Sequence, residues 1–149
     1  MSVALVNQSE RDELVKLLSE SRDKVIASSE QLSVEQWGFR ENTDSWSIGD
    51  NVEHLGLVEP VIFGQVTSAL ASDVNPNWEE ATVGKENLLK EKLLERSIRR
   101  DAPNAVLPTG GVDRAYTLRA FQDYRETTLR FAQETACLLY TSPSPRDRG

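Results

Sequence analysis

The chain has 149 residues, 38% of them hydrophobic and 28% charged, with a formal net charge of −7. That length fits one domain with a single buried core, and an ordinary charged fraction argues against wholesale disorder. A pI of 4.8 argues against nucleic acid, whose phosphates call for a concentrated positive field, and the absence of both an apolar run of roughly 18–20 residues and a basic-then-apolar leader fits a cytoplasmic protein with no membrane contact.

Helical periodicity dominates from the start. Ser9 is the expected cap of a first helix whose opening run Glu10-Arg11-Asp12-Glu13 places acids where the helix dipole favours them. Its apolar positions Leu14, Leu17, Leu18, Val25 and Ile26 share one face, and the pattern fades near Ser28-Ser29. Ser33-Val34-Glu35-Gln36 matches a capping box and predicts a short helical turn carrying Trp37, followed by a polar loop from Arg40 to Ser45.

A third helix starts at Ser47-Ile48-Gly49-Asp50, again serine with an acid three residues on. Ile48, Val52, Leu55, Ile62, Val66 and Leu70 carry it to about Ala71, with a kink expected near Gly56–Pro60 because proline lacks the backbone donor. Asn75-Pro76-Asn77 reads as a turn. Leu88, Leu89, Leu93, Leu94 and Ile98 predict a charged helix over Lys85 to Arg100, and the prolines and Gly110-Gly111 make Asp101 to Val112 a loop. A last helix opens at Thr117 with Leu118, Phe121, Tyr124, Thr128, Phe131 and Thr135 along one face. Strand patterns and internal repeats are lacking, so the fold class is all-α: an antiparallel four-helix up-and-down bundle supplying three long helices and a shorter one.

The domain spans residues 1–136, and 137–149 read as a tail, since Ser142-Pro143-Ser144-Pro145 cannot continue a helix. The run Leu138 to Arg148 resembles translated sequencing-adapter read-through. One cysteine, Cys137, excludes an intrachain disulfide and a multi-cysteine zinc site. One histidine, His54, excludes chemistry that needs two histidines from this chain.

The densest patch of chemically useful residues runs from Leu32 to Pro60. Trp37, Phe39 and Trp46 read as core or loop-anchoring groups, with ligand stacking the lesser alternative. On a helical wheel His54 lies beside the stripe of Val52, Leu55 and Ile62, at a boundary where a pocket can open; spacing alone favours a satisfied boundary histidine over a metal ligand. Asp50, four residues earlier on that face, is a second candidate ligand, but its capping position is the stronger reading. Glu53 and Glu59 read as solvent-side helix acids.

Trp46-Ser47-Ile48-Gly49-x-x-x-Glu53-His54-Leu55, within Leu32–Leu55, resembles the DinB-like superfamily, including its thiol-transferase and metal-dependent hydrolase relatives. Ala102-Pro103-x-Ala105-x-Leu107-Pro108-Thr109-Gly110 and the aromatic helix after it are similar to one branch, and the resemblance covers roughly Glu10 to Ala136. It implies a bundle of four long helices around a divalent metal, zinc or nickel, held by three histidines. His54 matches the one early in the second long helix. The other two form a His-x-x-x-His pair on the fourth, which this sequence lacks, so a C-terminally truncated copy is the expectation. The function implied is a metal-dependent enzyme of the thiol-transferase or hydrolase class, acting on a small molecule, whose metal site is incomplete here. This chain is then expected to bind no metal, to be inactive, and to expose an apolar groove that favours a homodimer. The alternative is a non-catalytic helical interaction module without metal.

Overall fold

Three capping boxes set the starts of the first three helices. Asn7, Ser33 and Ser47 each accept a hydrogen bond from the backbone N–H three residues on, and Glu10, Gln36 and Asp50 each reach back to the cap's own N–H. The resulting elements are α1 (Gln8–Glu30), α2 (Val34–Gly38) and α3 (Ile48–Ala71). The first cap is therefore Asn7 rather than Ser9: both fit the acidic opening turn, but only Asn7 stands three residues before Glu10. The computed structural model describes residues 7–141 except 74, 96 and 98–100, with the backbone alone at 78 and 135–141. Of the tail expected over 137–149, residues 137–141 are helical and belong to the last helix, and those from 142 onward lie outside the described residues.

α3 continues through Pro60 without a break. Asn77 N–H donates to Asn75 Oδ1 at 3.0 Å, the side-chain turn expected there. Beyond it come two short helices, α4 (Trp78–Thr82), which periodicity did not predict, and α5 (Lys85–Leu94). α5 is shorter than the expected Lys85–Arg100: Glu95 is extended, and Ile98 lies outside the described residues. Glu86 and Lys90 meet at 2.9 Å across one turn, which holds the carboxyl below and the ammonium above their usual values. The loop expected over Asp101 to Val112 is observed and runs one residue further, to Asp113, with a single 3-10 turn at Asn104–Val106. α6 (Arg114–Thr141) starts three residues before the expected Thr117, because Asp113 accepts the Tyr116 N–H and so caps the helix.

Among the described residues the fold is all-α, as predicted. The core is a cluster of Trp37, Val52 and Phe121, flanked by Val25, Leu32 and Leu118. Arg114 donates to the Leu32 carbonyl and Arg125 to the Leu18 carbonyl, so α6 runs antiparallel to α1. Glu59 pairs with Arg125 and Phe63 with Phe131, so α3 and α6 run parallel. Strict up-and-down alternation is thus replaced by one antiparallel and one parallel neighbour of α6. The cause is the long connection between Ala71 and Arg114, which lets the chain return along the bundle before α6 begins.

Two further readings are corrected. Phe39 is 69% exposed rather than a core or anchoring group. It follows the last turn of α2, and Trp37 alone of that turn reaches the core. Glu59 is not on the solvent side: its carboxylate takes Arg125 Nε at 2.7 Å and Nη2 at 3.1 Å, with both side chains largely buried.

Candidate functional site

The first turns of α3 place four polar side chains in one short stretch, and two cavities divide them. Asp50 is buried, and one of its carboxylate oxygens is doubly engaged. Its Oδ2 accepts the Ser47 N–H at 2.9 Å and sits 2.8 Å from Arg40 Nη2. Asp50 lines a cavity of about 350 Å³ with Trp37, Arg40, Glu53 and Gly110. The capping reading of Asp50 therefore holds, and the structure does not bring this carboxylate to the histidine.

His54 lines a different cavity, of about 610 Å³, walled by Trp46, Asn51, Val58 and Val61 and, from the loop, by residues 101–103, 105 and 106. The half-buried imidazole stacks at a tilt on Trp46, ring centroids 5.0 Å apart and planes at 56°. Its Nδ1 lies 2.7 Å from the Val106 carbonyl oxygen. A carbonyl can only accept, so Nδ1 carries the proton, and in the neutral ring Nε2 keeps its lone pair. Among the described residues no group bonds Nε2, which leaves it for whatever enters the cavity. Trp46 is 37% exposed and forms a wall beside the imidazole rather than part of the core.

Glu53 is also corrected from a solvent-side acid. Its Oε1 accepts the Thr109 N–H and the Thr109 hydroxyl, both at 2.8 Å, and its Oε2 accepts the Gly110 N–H at 3.3 Å. Periodicity could not reveal this, because the partners lie more than fifty residues away in a loop without pattern. The signal available was Thr109-Gly110 itself, a hydroxyl and two adjacent backbone donors beside a glycine at φ +76°.

The donor set for a metal can be counted. Catalytic zinc sites use three protein ligands, and among the described residues no group of three His, Cys, Asp or Glu converges. Asp101 also lines the His54 cavity, giving at most a nitrogen and one carboxylate there. No described helix is long and apolar enough to cross a membrane.

Among known protein families, the sequence profile of the DinB superfamily matches residues 10–140. No curated protein and no solved structure matches the chain. The chain belongs to the DinB superfamily.

Proposed function

From that membership, we propose that the chain is a domain of the metal-dependent thiol-transferase or hydrolase class, with the His54 cavity as the seat of a small-molecule substrate. The observation that supports the reading is the state of the imidazole. Nδ1 is committed to Val106, and Nε2 is left at a cavity of about 610 Å³, within the size range of small-molecule sites. Metal-ligating histidines are held in this way, the second ring nitrogen donating to a carbonyl or carboxylate. A zinc or nickel ion would need more donors than the described residues bring together, so His54 supplies one ligand, and no reaction step is written through the ion. The chain's own contribution is to bind and orient: Trp46, Val58, Val61 and Pro103 offer apolar wall, while Asn51 and Asp101 offer polar contacts.

The test is titration of the isolated chain with Zn²⁺ or Ni²⁺, followed on the ring signals of its single histidine. Negligible affinity is expected, with the His54 ring perturbed at high metal; the residual metal uptake, measured by calorimetry because His54→Ala has no ring to follow, should be lost in that variant. A site that survives His54→Ala would remove His54 from the proposal. If saturating metal leaves the ring signals unmoved, the second reading applies: a helical interaction module without metal.

A further inference from the structure

Two adjacent residues of α3 grip the same loop. His54 Nδ1–H donates to Val106 O at 2.7 Å, while Glu53 takes three hydrogen bonds from Thr109 and Gly110. Besides these bonds the loop is held at Val106, whose side chain is buried where the 3-10 turn meets α3, while at its other end Gly110 sits with its α-carbon over Arg40, where a Cβ would stand 2.7 Å from Nη2. We propose that Glu53 is a positioning residue. By holding Thr109 and Gly110 it keeps the Val106 carbonyl at Nδ1, and so fixes His54 in the one tautomer that presents an Nε2 lone pair. The bonds to Glu53 are charge-assisted, about twice as strong as neutral ones, and they act on a loop whose other end carries the wall residues 101–103, 105 and 106. Without them the Thr109–Gly110 end is free to shift, the Val106 carbonyl is no longer held in line with Nδ1, and the imidazole exchanges its proton between both nitrogens.

This rests on reading the His54 cavity as the site. The measurement, however, is made with neither metal nor ligand present, so failure of the proposed function leaves its outcome untouched. Nitrogen NMR of the imidazole, at a pH where the ring is neutral, separates the protonated from the lone-pair nitrogen, and the single histidine makes the assignment unambiguous. The wild-type chain is expected to show two widely separated nitrogen shifts with the proton on Nδ1. In Glu53→Ala the two shifts should move toward each other, whereas Glu53→Gln, which still offers an oxygen to Thr109, should stay nearer wild type. Arg125→Met, which weakens the bundle far from the loop, should leave the shifts in place. Should Glu53→Ala lose its helical circular dichroism, Thr109→Val decides on the same signal, with a smaller displacement expected. Wild-type shifts retained in a folded Glu53→Ala, or a proton on Nε2 in the wild type, would overturn the assignment.

Discussion

Gly49 and Gly64 sit on the same helix and predict opposite outcomes for the same substitution. A Cβ at Gly49 would stand 2.6 Å from Trp37 Nε1 and 2.8 Å from Cε2, and Trp37 is held in the core cluster. Gly49→Ala should therefore cost about 1–3 kcal/mol, the usual range for overpacking. At Gly64 a Cβ meets nothing within 4 Å, and Gly64→Ala should stabilise by about 0.5–1 kcal/mol because alanine restores helix propensity. Chemical denaturation of the two variants against wild type checks the reversal of sign. At this scale the sequence was informative where the partner is close in the chain. The boxes Ser33–Gln36 and Ser47–Asp50 were legible because cap and partner are three residues apart. The roles of Glu53 and Glu59 were not, since an acid facing a distant loop or helix has the same local pattern as one facing water.

Arg125 joins the three long helices. It grips Glu59 of α3 through two nitrogens and donates Nη1 to Leu18 O and Ser21 Oγ of α1, while its guanidinium lies 5.2 Å from the Phe121 ring centroid. The Glu59 and Arg125 side chains are only 14% and 12% exposed, so removal of one partner strands a charge away from water. Arg125→Met alone should cost about 3 kcal/mol, whereas Arg125→Met with Glu59→Met should cost much less, since a buried pair replaced by apolar groups is often close to neutral. A double-mutant cycle measures the difference, and additive effects would show that the pair is not the clamp. The existence of all three long helices was readable from periodicity. Their directions were not, because a long connection can return on either side of a bundle, and the pairs that settle it, Glu59–Arg125 and Phe63–Phe131, are contacts no periodicity encodes.

Across the whole molecule, the cavity face and the core face of α3 are separated by an apolar stripe that nothing among the described residues covers. Leu55, Ile62, Val66 and Leu70 fall within one side of the helix at about 100° per residue, and they are 36%, 52%, 44% and 54% exposed. Leu14 and Leu17 of α1 are exposed as well, and so are all four leucines of α5. Monomeric soluble proteins rarely leave contiguous apolar surface of this kind in water. Self-association should follow, and the isolated chain at micromolar concentration is expected to scatter light as more than a monomer and to bind the dye ANS. Ile62→Lys with Val66→Glu should return it to a monomer and reduce dye binding. Stability should change by no more than about 0.5 kcal/mol, as befits exposed positions. A monomeric wild-type chain silent to the dye would show that the stripe is covered from within the chain. In that case the wall of the His54 cavity, which borders the stripe at Val58 and Val61, would be more enclosed than the described residues make it.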